Sequence, residues 1–319
     1  MSHMSNPLAT VEQIYKYKSL SSLPQDLQDT IFYQVQLLTQ AAGLLLRLPQ
    51  SVTAQAGVLL ARALASDPAG PLSQSSSHEP RDLSAAALFL TAKLGAHPTP
   101  PRDLCNVYAY LTSPSSPLFS RTATPDDPSS YYLSETAYAR QHDRVLAAES
   151  RVLALLSFDT HAALPHPLAV TYLQALDFLS LPRAAVARRV VEHLNAALLS
   201  PQCLYLTHQP HQLAVAAIYN AAKDLGAKMP ECAWWEVFDV DREELGFLVV
   251  GMRSLEGWVR KQQAEETGDV DWSRLITKSQ IHDVMRKRGL ANNGATGKEL
   301  DEEDAMMQNM DEMAAKMES

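Results

Sequence analysis

Residues 40–50 read QAAGLLLRLPQ, a short apolar stretch that ends at a proline. Pro49 has no backbone amide donor and its ring clashes with the preceding turn, so the stretch predicts the end of a buried helix. Upstream, apolar residues step by three or four positions between Leu27 and Leu48, as Ile31, Val35, Leu38, Ala42, Leu45 and Leu48. This is the period of a helix that packs on one side. The pattern predicts an α-helical start to the fold.

Further helical segments follow in the first half of the chain. The patterns predict helices over residues 50–64, from Asp82 as N-cap to Ala92, over 103–111 after two prolines, and over 134–156. The segment after Asp82 is apolar almost all round, which is typical of a helix in the middle of a bundle. A polar loop rich in serine and proline, residues 113–130, is expected on the surface.

The same order of segments then repeats. Helices are predicted over residues 166–179, 182–199, 210–225, 232–238 and 241–258. In both halves the third helix is rich in small residues and is followed by a lysine-containing turn, at Lys93 and at Lys223. Since no segment has the pattern of a strand, the chain is predicted to be all-α, with two tandem five-helix bundles.

These patterns divide the chain into four parts. We expect a flexible N-terminal extension over residues 1–24, a first bundle over 25–160 and a second bundle over 161–262. A flexible C-terminal tail over 263–319 follows, with an amphipathic helix and an acidic, methionine-rich segment. Residues 1–4 resemble a cloning remnant and are left out of the prediction of the fold.

The charge of the chain is unevenly distributed. The formal net charge is −9, but residues 299–319 carry eight acidic residues against Lys316 alone. The rest of the chain has 28 acidic and 26 basic residues and is close to neutral. Nucleic-acid binding needs clustered Lys and Arg, so direct binding to nucleic acid is not expected.

The cysteines and the hydropathy indicate the compartment. Cys105, Cys203 and Cys232 are far apart and odd in number, which favours reduced thiols inside the cell. No apolar run approaches the roughly 20 residues of a membrane helix, so no membrane association is expected.

No pattern typical of an enzyme or a cofactor site occurs. The chain has no glycine-rich phosphate loop, nucleophile elbow or H-E-x-x-H motif. His208 and His211 flank a proline with no third ligand nearby, which favours a surface turn over a metal site. We therefore expect no catalysis, no cofactor and no metal.

Several segments together resemble the cyclin family, and in particular its cyclin L members. They are residues 40–50, Thr91-Ala92-Lys93, residues 148–153 (AESRVL), and His166-Pro167 with residues 172–174 (YLQ). The resemblance covers about residues 27–259. It implies two cyclin boxes of like fold and a non-catalytic regulatory subunit that forms a heterodimer with a cyclin-dependent kinase.

The resemblance also implies a kinase-binding site. Lys93 matches the cyclin lysine that binds carbonyls near the end of the kinase αC helix, and Glu149 matches the glutamate that accepts from the kinase backbone beside it. Leu94 and Phe158 are expected to line the groove. Without the resemblance, Lys93 would be interpreted as a solvated helix end and Glu149 as a salt-bridge partner. Most cyclins have two acids after the lysine, whereas this chain has Leu94-Gly95-Ala96.

Cyclin L-like proteins pair with a kinase that carries a PITSLRE-type αC helix and acts in transcription and pre-mRNA splicing. The resemblance therefore implies a nuclear protein. Two alternatives stay open: a cyclin-fold scaffold of another transcriptional kinase, and a transcription factor B-like cyclin fold that binds nucleic acid. Basic stripes and a zinc ribbon would mark the second alternative, and the three separated cysteines exclude the ribbon.

Two features of the C-terminal tail suggest functions. Arg286, Lys287 and Arg288 follow an amphipathic stretch and form a possible nuclear import signal, although basic residues also favour a helix C-terminus. Methionines at helical spacing, Met306, Met310, Met313 and Met317, suit adaptable docking, although a solvated tail is the alternative.

Overall fold

Alanine and leucine at helical spacing fold the chain into α-helices in the computed structural model. The structure describes residues 4–19, 23–67, 78–113, 116, 118, 127–178, 184–264 and 275–289. Its helices are α1 Val11–Ser19, α2 Gln25–Leu45, α3 Gln50–Ser66, α4 Pro80–Leu94, α5 Pro101–Leu111, α6 Glu135–Leu155, α7 Pro165–Ala175, α8 Ala184–Leu198, α9 Leu204–Thr207, α10 Pro210–Asp224, α11 Arg242–Ala264 and α12 Lys278–Lys287. Short 3-10 helices lie at Pro128–Tyr131 and Glu236–Phe238. The described residues contain no strand, and the predicted all-α class is confirmed.

The first bundle is built around α4. This helix packs on α2, α3, α5 and α6, and its residues from Pro80 to Ala92 are buried except Arg81. The core beside it is formed by Leu38, Ala42, Ala56, Ala85, Leu88, Leu104, Tyr108, Leu111 and Val145. Ser84 in α4 has hydroxyl contacts of 2.7 Å with Thr39 and with Tyr108, so the central helix also satisfies buried polar groups. The position of α4 fixes where its C-terminal Lys93 emerges.

The helix predicted from the apolar pattern between Leu27 and Leu48 is α2, and it ends earlier than expected. The helix ends at Leu45, four residues before Pro49, because the chain turns through Arg47 in the left-handed region at φ 54°. Leu44 and Leu45 are therefore exposed instead of buried. Gly43 has a packing role, since a Cβ there would collide with Thr53 of α3. The glycine allows α2 and α3 to approach closely.

The second bundle repeats the arrangement around α10, which packs on α7, α8 and α11. Its core contains Leu173, Val190, Leu194, Leu213, Ile218 and Leu248, and it extends into the first bundle through Ala54 and Val58 of α3. A polar bridge supports this junction. Gln50 Nε2 donates to Asn195 Oδ1 at 2.9 Å, and the same oxygen lies 3.0 Å from His166 Nε2.

Several predicted helix ends are wrong. The helix predicted over residues 232–238 forms a 3-10 helix over Glu236–Phe238 only. The one-turn helix α9 was not predicted. α7 ends at Ala175 instead of residue 179, since Asp177 adopts φ 57°. α4 begins at Pro80, so Asp82 lies inside the first turn and is buried instead of acting as N-cap.

Described residues of both expected flexible tails bond to the helical bundles. Asn6 is buried and bonds twice to Ala163: its Nδ2 donates to the Ala163 carbonyl at 2.8 Å, and its Oδ1 accepts from the Ala163 amide at 2.7 Å. At the other end, the Ile276 amide donates to Gln34 Oε1 at 2.9 Å. Residues 1–281 form one unit, and residues 282–319 form a second. The predicted boundaries of the two boxes stay predictions.

Some predicted features lie outside the described residues. They include most of the loop over residues 113–130 and the whole acidic, methionine-rich segment. Among the described helices, none combines the length and the hydropathy needed to span a membrane.

Candidate protein-docking site

The predicted cation lies at the end of the central helix of the first bundle. Lys93 is in the last turn of α4, where a positive charge interacts favourably with the helix dipole. The buried residues before it hold the helix rigidly, and its own side chain is half exposed. Gly95 closes the helix by donating its amide to the Thr91 carbonyl at 3.0 Å. A well-packed helix therefore presents a half-exposed ammonium at the surface.

The structure brings the predicted carboxylate to this ammonium. Glu149 lies on α6, which packs along α4, and its Oε1 is 2.5 Å from Lys93 Nζ. Glu149 is buried, at 5% exposure, and its Oε1 accepts no well-directed hydrogen bond within the described structure. The contact is therefore an ion pair, and acceptor capacity remains on Glu149. Sequence reasoning placed these two residues at one site but did not predict their direct contact.

The Lys93–Glu149 pair is better suited to binding than to stabilising the fold. An ion pair with one half-exposed partner contributes about 0–1 kcal/mol to stability, because solvent screens it. A lysine ammonium carries three donors, so Lys93 can bind Glu149 and still donate to acceptors of a partner. Its Nζ also lies 4.9 Å from the Phe89 ring centroid, four residues back on α4. Phe89 was missed, although spacing of four on a helix could have indicated it.

The other two predicted residues are exposed apolar side chains. Leu94 follows Lys93 directly and is 58% exposed, while Phe158 lies just beyond the end of α6 and is 72% exposed. Phe158 has φ 62° and Ser157 has φ 49°, both in the left-handed region that is costly for residues other than glycine. Leu146, one turn before Glu149 on α6, is also exposed and was not predicted. Leu94 adjoins Lys93 in the chain, and an exposed large apolar side chain next to a charged pair suits a protein-docking surface.

A cavity of about 360 Å³ adjoins the end of α6. Its wall is formed by Leu8 from the N-terminal segment, Arg62 of α3, Leu156, Ser157 and Asp159. Burial lowers the pKa of Arg62, which nearby Asp159 opposes, and its Nη1 donates to the His161 carbonyl at 2.6 Å. The sequence gave no indication of this cavity, because the contact between Leu8 and the end of α6 joins distant segments.

Of the two histidines that were considered as ligands, His208 has a structural role. His208 contacts Thr207 Oγ1 at 2.8 Å through Nδ1 and stacks on Phe247, so it is half-buried instead of lying in a surface turn. Gln209 and Gln212 form a capping box at the start of α10. In the part of the chain that the structure describes, no three His, Cys, Asp or Glu side chains are grouped closely enough to hold a metal.

The predicted import residues lie at the end of α12. Arg286 and Lys287 are in its last turn, and Arg286 Nη2 contacts Asp283 Oδ1 at 3.0 Å. Arg288 follows in the terminal turn. This arrangement suits a basic helix C-terminus, and the role in import stays a prediction.

Comparison with known proteins supports the family resemblance. Human cyclin-L1 is 30% identical over 209 residues, which is 65% of this chain and 36% of that protein. An uncharacterized cyclin-L1-like protein of Schizosaccharomyces pombe is 29% identical over 167 residues, or 51% of this chain and 60% of that protein. The chain thus matches from about a third to three fifths of the length of these relatives. No protein-family model matches the chain.

Solved structures share the fold at low sequence identity. A chain of the yeast RNA polymerase II CTD kinase CTDK-1 complex superposes with a TM-score of 0.62 and 14% identity, over 93% of this chain and 88% of that chain. A chain of the CAK complex of Chaetomium thermophilum bound to ATP-γ-S gives 0.53 and 14%, over 92% and 94%.

The two helical bundles with their central third helices define a cyclin-fold protein. Within that class, the sequence is similar to cyclin L, and the predicted resemblance to cyclin L is confirmed.

Proposed function

We propose that this chain is a non-catalytic regulatory subunit that binds and activates a cyclin-dependent protein kinase. The observation that carries the proposal is the Lys93–Glu149 ion pair, which stands at the surface end of two packed helices beside exposed Leu94. The similarity to cyclin L and the fold shared with chains of two kinase complexes support it.

The proposed mechanism selects one position of the kinase αC helix. In a protein kinase, the αC glutamate must pair with the strand lysine that holds the ATP phosphates. A rigid surface that binds only the inward αC helix shifts the population towards that state. Lys93 would donate to carbonyls at the end of αC, Glu149 would accept from backbone amides, and Leu94 and Phe158 would cover its apolar side. The kinase would carry out all of the phosphoryl transfer.

The finer features of the proposal come from cyclin L. We propose a kinase with a PITSLRE-type αC helix, a role in transcription and pre-mRNA splicing, and a nuclear location to which Arg286, Lys287 and Arg288 contribute. Affinity purification of the tagged chain from its native cells, followed by mass spectrometry, would identify the kinase.

Charge reversal at the pair tests the proposal. We expect Lys93→Glu or Glu149→Lys to abolish co-purification of the kinase, because each places like charges together and removes a donor or acceptor from the surface. Lys223→Glu is the matched control, since Lys223 ends the third helix of the other bundle and is also exposed. Circular dichroism checks that each variant is folded. Unchanged kinase capture by folded Lys93 and Glu149 variants would refute the assignment.

A further inference from the structure

A second cavity of the first bundle has no role in the proposed kinase contact. It measures about 380 Å³ and lies between the starts of α4 and α6 and the end of α5. Three arginines line it together with polar groups, and we call it the arginine pocket: Arg81, Arg140, Arg144, Tyr108, Thr112 and Gln141. Arg81 lies 12 residues before Lys93 on α4, which corresponds to about 18 Å along the helix.

The arginines of this pocket are under-compensated in charge. Asp82 is the carboxylate that contacts them, and its contacts are long: 3.8 Å from Arg81 Nε and 3.9 Å from Arg144 Nε. Asp82 is buried and also accepts from Gln141 Nε2 at 3.3 Å, so it lies behind the wall of the pocket. Among the described residues, three arginines therefore line one cavity, and a single carboxylate contacts them.

Donors of the arginines are left for a ligand. Arg140 is exposed and makes no ion pair or hydrogen bond with any other described residue. Arg81 Nε is buried and has no hydrogen-bond acceptor among the described residues. A buried donor without an acceptor costs free energy, and an anion in the cavity would remove that cost. Arg144 bonds through Nη2 to Gln141 Oε1, which holds its guanidinium at the wall.

We propose that the arginine pocket binds the phosphate group of a phosphorylated serine or threonine in a partner protein. The planar guanidinium binds phosphate oxygens through two parallel hydrogen bonds, and clusters of arginines are a general means of recognising phosphorylated segments. A dianionic phosphate matches the two uncompensated positive charges of the pocket. The exposed apolar ring of Tyr132, next to Leu133 in the pocket wall, is available to residues that flank the phosphate.

The shape and the charge favour a phosphoprotein over a nucleic acid. Nucleic-acid binding needs basic residues along an extended groove, because many phosphates are neutralised at once. Here the bases converge on one cavity, and the chain without residues 299–319 is close to neutral. The distance along α4 from Lys93 separates this pocket from the proposed kinase contact, so the inference does not depend on the kinase assignment.

Fluorescence anisotropy with labelled peptide pools tests the inference. One pool carries a single phosphoserine or phosphothreonine between randomised positions, and the matched pool carries the unphosphorylated residue. We expect the phosphorylated pool to bind at least about tenfold more tightly. Arg140→Glu should reduce its affinity to that of the unphosphorylated pool. The Arg140 side chain has no bonded partner among the described residues, so this variant is expected to stay folded, and thermal unfolding verifies it.

Controls separate the pocket from general electrostatic attraction. Arg242→Glu changes net charge by the same amount at the start of α11, in the other bundle, and should leave binding unchanged. Equal binding of both pools, or equal losses in the Arg140 and Arg242 variants, would overturn the proposal. So would displacement of the peptides by inorganic phosphate at equal concentration, which would indicate a free-anion site. If single-stranded RNA binds more tightly than the phosphorylated pool and Arg140→Glu abolishes that binding, the ligand of the pocket is a nucleic acid and the proposal is wrong.

Discussion

The third helices of the two bundles end in similar sequences but differ in the chemistry at their ends. Both α4 and α10 are buried, alanine-rich and have a lysine as the last residue but one, Lys93 or Lys223. Lys93 pairs with the buried Glu149 of the following helix. Lys223 is exposed and makes no ion pair within the described structure, and the next residue, Asp224, forms the ion pairs instead.

Asp224 is surrounded by hydrogen-bond donors of its own bundle. Its Oδ2 lies 2.8 Å from Arg189 Nη2 and 2.9 Å from His193 Nε2, and its Oδ1 contacts Arg253. Burial opposes ionisation of Asp224, but the bonds from Arg189 and His193 outweigh it and lower its pKa. Burial also lowers the pKa of His193, so the neutral ring donates its Nε2 proton to the carboxylate at neutral pH.

The difference shows how one fold can serve two purposes. Around Asp224, donors and acceptors of the same bundle satisfy one another, and such a closed network contributes to stability. At Lys93, one half-exposed ammonium meets one buried carboxylate; the ammonium keeps donors towards solvent, and Glu149 Oε1 accepts no well-directed hydrogen bond within the described structure. Under the proposed function, the first bundle offers its helix end to a partner, whereas the second uses its helix end internally.

The largest expected effect comes from exchanging the two charges of the first bundle. The double variant Lys93→Glu with Glu149→Lys restores an ion pair, so its stability should exceed that of either single variant. It presents a carboxylate where the kinase would offer carbonyls, so we expect capture to stay about 100-fold or more below the unmodified chain. Thermal unfolding and quantitative pull-down measure the two properties separately. Recovery of kinase binding in the double variant would show that the pair acts only on the fold.

The second prediction concerns the closed network. Asp224→Ala removes the acceptor shared by Arg189, His193 and Arg253, so the free energy of unfolding should fall by about 1–3 kcal/mol. Kinase capture by the folded protein should not change. Urea denaturation measures the first quantity, and Asp224→Asn, which retains one acceptor oxygen, should lose less. A kinase-binding defect in Asp224→Ala with unchanged stability would reverse the proposed roles of the two helix ends.

Local patterns predicted the helices, whereas the charged pair of the first bundle needed the resemblance to cyclins. The starts of α5 and α6 were predicted within two residues, because Pro101 and the capping residue Ser134 mark them directly. The Ser134 hydroxyl accepts from the Ala137 amide at 3.3 Å, as an N-cap should. Lys93 and Glu149 were found only through the resemblance to cyclins, since their spacing of 56 residues has no local signal.

The remaining features depend on contacts that no local pattern contains. After α2 and α7 the chain turns through Arg47 and Asp177 in left-handed conformations, without the glycine that usually marks such ends. Asn6 bonds to Gln209 across 203 residues, and the arginine pocket combines three helices. The network around Asp224 was missed because Arg189 and Arg253 lie on different helices and appear as ordinary surface charges.

The smallest expected effect comes from Phe158, where stability and binding should change in opposite directions. Its left-handed backbone costs about 1–2 kcal/mol for a residue other than glycine. Glycine removes this cost but adds about 0.5–1 kcal/mol of entropy in the unfolded chain. Since the ring is mostly exposed, Phe158→Gly should stabilise the fold by about 0.5–1 kcal/mol. Kinase affinity should fall about three- to tenfold, because the groove loses apolar surface.

The neighbouring residue provides the matched control for this prediction. Ser157 has φ 49° but a small polar side chain, so Ser157→Gly should gain similar stability without loss of kinase binding. Thermal unfolding and titration with the purified kinase measure both changes. If Ser157→Gly weakens binding as much as Phe158→Gly, the kinase responds to the conformation of the turn after α6. If only Phe158→Gly weakens it, the strained backbone is retained because it holds an aromatic ring in solvent for a partner.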